Sequence, residues 1–215
     1  ARWAKKKGIT LLGTGDFTHP TYFVELKSKL APLGNGLFEL KNGDKDVTFI
    51  LTTEVSNIYR QDGKGRRIHT LIFAPSFEVT EAIRSKLGNL GKLSSDGRPI
   101  FSFTSKDLVK MILDISPDCL IIPAHAWTPW FSVFGANSGF DSIEECFGEM
   151  SSYIHAIETG LSSDPEMNWR LSALDAITLL SNSDAHSPNR LGREANAFEG
   201  EMDYKEIIEA IRKKD

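Results

Sequence analysis

Short apolar runs alternate with longer amphipathic segments along the chain, the βα rhythm of a mostly parallel sheet. The pattern predicts strands at 9–14, 47–53, 68–74, 119–124, 153–158 and 176–182. It predicts helices at 20–30, 77–88, 105–114, 141–150, 166–174 and 203–213. Ser76 ahead of Phe77-Glu78, Ser105 ahead of Lys106-Asp107 and Asp141 ahead of Ser142-Ile143 read as N-caps, because their oxygens can accept from the first free helical N–H groups. Gly34-Asn35-Gly36, Lys41-Asn42-Gly43-Asp44 and Gly88-Asn89-Leu90-Gly91 read as turns. Arg2 to Lys7 reads as the tail of a helix closed by Gly8. With Ala1 rather than Met in first place, this leads to the expectation that a strand and most of its helix precede the sequence.

Five of the apolar runs end on a side chain able to bind metal. Ile9 to Leu12 leads to Asp16 and His19, Val47 to Leu51 to Glu54, Cys119 to Pro123 to His125, Tyr153 to Ile157 to Glu158, and Ala176 to Leu180 to Asp184 and His186. Each has a bland explanation by itself: Asp184 as a turn cap, Glu54 as surface, His125 as a satisfied core imidazole. Their recurrence at equivalent positions changes the odds, since ligands at the carboxyl ends of parallel strands converge on one rim of an α/β barrel. Four of the five histidines, His19, His69, His125 and His186, lie at or near strand ends in this pattern, and His155, inside its strand, is read as structural. A His and carboxylate set without Cys suits two or three divalent ions of the zinc or manganese type, with Glu54 able to bridge. Such a cluster makes hydroxide at neutral pH and neutralises a phosphoryl group, so phosphoester hydrolysis is the expected reaction and amide or ring hydrolysis its competitor.

Residues 126–140 fit neither period. Trp127, Trp130, Phe131 and Phe134 stand in a loop directly after His125, followed by Asn137-Ser138-Gly139-Phe140. The loop is either a lid folded onto the core or a stacking wall for a flat ligand.

The remaining composition narrows the class. At 215 residues and 40% hydrophobic content we expect one domain, 1–215. A net charge of −4 excludes a general basic field for nucleic acid, leaving local patches such as Lys5-Lys6-Lys7 and Arg60, Lys64, Arg66 and Arg67. Cys119 and Cys146 have no paired-ligand spacing and suit a reducing cytoplasm. No run has the roughly 18 apolar residues of a membrane span, so a cytoplasmic protein with no membrane partner is expected.

Gly13-Thr14-Gly15-Asp16, Thr53-Glu54, Pro123-Ala124-His125 and Ser183-Asp184-Ala185-His186 resemble the later motifs of the polymerase and histidinol phosphatase (PHP) superfamily. The longer segments 13–20, 123–130 and 157–165 are similar to the endonuclease Q group, and the resemblance covers nearly the whole chain. It implies an α/β fold, a distorted (β/α)7 barrel with a trinuclear metal centre, here lacking its first strand. It implies that Glu54, His69, His125, Asp184 and His186 bind metal, with Asp16 or His19 adding a ligand, and that Asp184 and His186 serve catalysis. The family's opening His-x-His strand and the cysteine-rich zinc region of endonuclease Q are both absent from these residues. The implied activity is a DNA repair endonuclease cutting 5′ of a deaminated base such as uracil or hypoxanthine, with damaged DNA as partner and repair or replication clamps as further partners. In that reading Trp127, Trp130, Asn137 and Ser138 line a pocket for an everted base, and Arg66, Arg67, Arg190 and Arg193 contact phosphates. The alternatives are a small-molecule phosphatase or phosphodiesterase of the same superfamily and an inactive metal-binding scaffold.

Overall fold

The computed structural model describes residues 1–95 and 97–214. In chain order the elements are α1 (Arg2–Lys6), β1 (Leu11–Gly13), α2 (Pro20–Lys29), β2 (Leu30–Pro32), β3 (Phe38–Leu40), β4 (Thr48–Gln61), β5 (Lys64–Ala74) and α3 (Phe77–Gly88). They continue with β6 (Ile100–Phe101), α4 (Ser105–Ile115), β7 (Leu120–Pro123), α5 (Ile143–Phe147), β8 (Ala156–Glu158), α6 (Pro165–Asn168), β9 (Thr178–Leu180) and α7 (Tyr204–Lys213). Seven strands form one sheet in which β2, β3, β4, β5 and β7 follow in that order and β1 and β6 both pair with β4. β8 and β9 form a separate parallel pair.

The expected parallel order holds for β1 with β4, β4 with β6, and β8 with β9, and fails at the centre of the sheet. β4 and β5 form one long antiparallel hairpin from Leu51↔Ala74 to Gln61↔Lys64, and β5 is antiparallel to β7 as well. The cause is local. Asp62 and Gly63 have φ of 51° and 75°, both positive as a two-residue type I′ turn requires, and such a turn can join only antiparallel strands. The predicted strands 47–53 and 68–74 therefore run on to the turn, because Val55, Asn57, Tyr59 and Ile68 continue the buried alternation.

Ser76 caps α3 as expected, its side chain accepting from Val79 N–H. The other two caps fall one residue away: Thr104 rather than Ser105 caps α4, and Ser142 rather than Asp141 caps α5. The predicted helix 141–150 ends at Phe147 and tightens into a 3-10 segment over Gly148–Tyr153, while 166–174 divides into α6 and a 3-10 turn at Ser172–Leu174. α1 ends in a Schellman motif, with Ile9 N–H donating to Ala4 carbonyl (2.9 Å), Gly8 N–H to Lys5 carbonyl (3.1 Å) and Gly8 at φ 74°.

The alternation sorts the sheet into two faces. Leu51, Val55, Ile68, Ile72 and Ile121 pack under α3 and α4, with Ile83, Leu108 and Ile112. Ile50, Leu120 and Ile122 face the other way, against Tyr204, Ile207 and Ile211 of α7. Glu54 and His69 belong to this second face by parity, since Glu54 is two residues from Ser56 and Ser56 pairs with His69. They lie in the middle of their strands, not at strand ends. No helix among the described residues is long and apolar enough to cross a membrane.

Candidate metal centre

Glu54, His69 and His125 bring one carboxylate oxygen and two imidazole nitrogens within 4.8 Å of one another. Glu54 Oε1 is 3.0 Å from His69 Nδ1 and 3.5 Å from His125 Nε2, and the two nitrogens are 3.2 Å apart. A tetrahedral ion with bonds of about 2.0–2.1 Å would hold its ligand atoms about 3.3 Å apart, so these three donors already have the spacing of a coordinated set. Glu54 Oε1 is buried and makes no hydrogen bond, despite its nearness to both rings. A buried carboxylate oxygen left without a hydrogen bond is costly, and a cation at the focus of the three donors would satisfy it. The donor set therefore fits a divalent metal.

Surrounding groups fix the rings. Thr128 Oγ1 lies 2.9 Å from His125 Nδ1 and 2.9 Å from the Trp130 carbonyl. The hydroxyl has one proton and its carbonyl neighbours, Trp130 and, at 3.2 Å, His125, can only accept, so Thr128 donates to a carbonyl, that of Trp130 being the nearer, and His125 Nδ1–H donates to Thr128. The lone pair of His125 is thereby left on Nε2, facing Glu54. Such outer partners set the tautomer and aim of a ligating histidine. Glu158 Oε2 accepts the His125 backbone N–H at 2.7 Å. His125 has φ 30°, a left-handed conformation unusual outside glycine, and Gly160 passes so close that a Cβ there would stand 2.6 Å from His125 Cβ.

Asp16, Glu54, His125, Asp184 and His186 line one cleft of about 1030 Å³, together with Arg98, Glu158 and Asn182. Arg98, which belongs to none of the motifs read from the sequence, places Nη2 2.7 Å from Glu54 Oε2 and 3.8 Å from Asp184 Oδ1. His186 Nδ1 is 3.0 Å from the Asp184 carbonyl and 3.6 Å from its Oδ1. Asp184 also has positive φ, 43°, so two of the sequence-predicted ligands sit on strained backbone. Asp16 follows a turn at Gly15, whose N–H donates to Thr52 Oγ1 at 2.9 Å. His19 instead caps α2, with Nδ1 accepting Tyr22 N–H at 3.4 Å.

Electrostatics favour a cation here. Burial works against the Glu54 charge, but His125, His69 and Arg98 outweigh it and hold the carboxyl well below its ordinary range. Burial also opposes protonation of both rings. It dominates at His69, whose pKa falls, whereas Glu54, Glu158 and Asp184 prevail at His125, whose pKa rises. Burial pushes the Glu158 carboxyl up to about 7, and burial with the nearby Glu54 charge raises Asp16.

The aromatic loop is more committed than its sequence suggests. Trp127 donates its indole N–H to buried Asn168 at 2.8 Å and packs on Phe134, ring centroids 4.6 Å apart. Ser138 is buried, its Oγ accepting Phe131 N–H at 3.3 Å and its carbonyl accepting Arg67 N–H at 3.2 Å. Arg66 is buried too, donating to the Gly139 carbonyl and lying 3.9 Å over Phe140. Arg193 spends its guanidinium on the Ser183 and Asp184 carbonyls, at 2.7 and 3.1 Å. Trp130, Asn137 and Arg190 remain exposed, and Arg67 lies 4.7 Å over the Trp130 ring. Trp127 and Trp130 lie outside the lining of the cleft itself.

No family model matches the sequence. Its fold is nevertheless shared with solved structures of an endonuclease and of a metal-dependent phosphoesterase. It is similar to endonuclease Q. A crystal structure of endonuclease Q with a 27-mer duplex substrate carrying an abasic lesion at its active site superposes with a TM-score of 0.84 at 38% identity, over 98% of this chain and 50% of that one. The lesion-specific endonuclease PfuEndoQ of Pyrococcus furiosus gives 0.84 at 37%, over 98% and 49%. A metal-dependent phosphoesterase of Bifidobacterium adolescentis shares the fold at 14% identity and a TM-score of 0.54, over 90% and 84%. Uncharacterized protein YqxK of Bacillus subtilis (strain 168) is 32% identical over 99% of this chain, which spans 54% of that relative. The chain thus spans about half the length of these longer proteins.

Proposed function

We propose that the protein is a metal-dependent endonuclease of DNA repair, hydrolysing a phosphodiester on the 5′ side of a deaminated base. The observation that carries the reading is the convergence of Glu54, His69 and His125 on one point beside Asp184 and His186, in a chain similar throughout to a lesion-specific endonuclease. Glu54, His69 and His125 would hold one divalent ion, with Asp16, Asp184 and His186 serving a second or third, and zinc or manganese suits the donors. Such ions, when bound, supply a hydroxide nucleophile and neutralise phosphoryl oxygens. The chain's own groups do the rest. Thr128 and Glu158 hold His125 in register, and Arg98 brings positive charge to the cleft wall where a phosphate would lie.

The finer form of the fold belongs to the same proposal. β1 pairs with β4 and β9 with β8, and both strands border the cleft, whose floor includes Ile9, Leu71, Phe73 and Ile207. A further strand entering between β1 and β9 would cover these apolar side chains and join the β8–β9 pair to the larger sheet, toward the barrel of the PHP superfamily that the motifs resemble.

A nicking assay on labelled duplexes bearing one uracil or hypoxanthine, with and without manganese, tests the function. A single cut beside the lesion that is lost in Asp184→Ala and His125→Ala supports it. Release of phosphate from small monoesters with no cut in any duplex would replace it with the phosphatase reading.

A further inference from the structure

The aromatic loop and the β4–β5 hairpin meet in a ladder that leads away from the metal centre. The His69 ring lies 4.6 Å from Phe131, tilted by 31°. Arg67, two residues along β5 and therefore on the same face as His69, places its guanidinium 5.6 Å from the Phe131 ring and 4.7 Å from that of Trp130. The rungs are tied to the centre through backbone: His69 N–H donates to the Phe131 carbonyl at 3.0 Å, and Arg67 N–H to the Ser138 carbonyl at 3.2 Å. Thr128 Oγ1 joins His125 Nδ1 to the Trp130 carbonyl. Trp130 is nevertheless 47% exposed. In the same loop Trp127 and Phe134 pack onto one another, whereas Trp130 faces solvent with Arg67 against its ring.

Resting on the endonuclease reading, we propose that Trp130 and Arg67 form a stacking platform for a base flanking the scissile phosphate, so that the substrate strand runs from the metal centre along the face of the hairpin. An exposed indole backed by a guanidinium offers a flat apolar surface and a fixed positive charge side by side, the two things a nucleotide presents to a protein in reverse. Two strand residues advance about 7 Å, so the platform begins about two nucleotides from His69 on a strand rising about 3.4 Å per stacked base. The contact is indifferent to base identity because every base has a π-face. It would set the path of the strand and leave lesion choice to the cleft.

The test is the affinity for a fluorescein-labelled single-stranded 12-mer, measured by anisotropy in EDTA, so that neither metal nor cleavage enters. Trp130→Ala should weaken binding about tenfold, as loss of one base-stacking contact does, and Trp130→Phe should restore most of it. Arg67→Ala should weaken binding and lower the slope of log Kd against log salt by about one phosphate's share. Unchanged affinity and salt slope in both variants would overturn the platform. The nicking assay on the unmutated protein separates the two proposals: cleavage with no effect of Trp130 or Arg67 on affinity sinks the platform alone, while loss of oligonucleotide binding in the variants without cleavage of any duplex sinks the nuclease assignment alone.

Discussion

Thr128 Oγ1 lies 2.9 Å from His125 Nδ1, and through this side-chain hydrogen bond the orientation of a proposed metal ligand depends on a residue outside the proposed ligand set. The hydroxyl's own proton goes on to the Trp130 carbonyl, also at 2.9 Å.

Thr128→Val keeps the shape and removes every hydrogen bond of the hydroxyl. Affinity for zinc or manganese should fall by about 10–100-fold, the range for loss of a partner that aims a ligating histidine. Thr128→Ser should retain it. Isothermal titration of the metal-stripped protein measures the difference, and equal affinities for the Val variant and the parent would show that the ring is held by its other contacts.

Glu158 is predicted to act through backbone. Its Oε2 accepts the His125 N–H at 2.7 Å within a strained turn, so Glu158→Ala leaves a buried donor unpaired at a cost of about 1–3 kcal/mol. Glu158→Gln can still accept through its amide oxygen. Urea unfolding should show a lower midpoint with unchanged slope for the Ala variant and a smaller change for the Gln variant.

Gly160→Ala puts a Cβ 2.6 Å from His125 Cβ at a residue with φ 61°. Both the contact and the left-handed backbone are unfavourable, together about 1–3 kcal/mol. Thermal unfolding should report a lower Tm, and metal titration a weaker site, because the atom displaced belongs to His125.

Metal affinity should rise with pH across the weakly acidic to neutral range. Ligands bind as carboxylate and neutral imidazole, so protons compete with the metal. Glu54 is held ionised and contributes little to that competition, while the raised pKa of His125 extends it above the ordinary histidine range. Competition titrations at several pH values check the sign: affinity flat or falling toward higher pH contradicts it.

Much of the site was legible because its residues announce themselves chemically. Asp184-Ala185-His186 and Pro123-Ala124-His125 lie at strand ends in the structure as in the sequence, and Asp16, Glu54, His125, Asp184 and His186 share one cleft. The errors came from reading every apolar run as an independent parallel strand. Gln61-Asp62-Gly63-Lys64 carried the hairpin signal, an Asp-Gly pair between alternating strands, but the polar residues flanking it made each run look shorter than it is. Arg98 was out of reach because a lone arginine in a Gly-Arg-Pro loop has no period to place it against Glu54. Trp127 and Trp130 look equivalent in sequence, and only three-dimensional contact shows that one is anchored to Asn168 while the other faces solvent.

The positive φ angles at His125 and Asp184 set the site against the stability of the fold that carries it. Each non-glycine residue in that region costs about 1–3 kcal/mol of strain. A chain selected only for thermal endurance would place glycine or asparagine at both positions and forfeit two of its proposed ligands. Stabilising substitutions should therefore be sought away from these two turns, since relieving strain there would remove the proposed ligands.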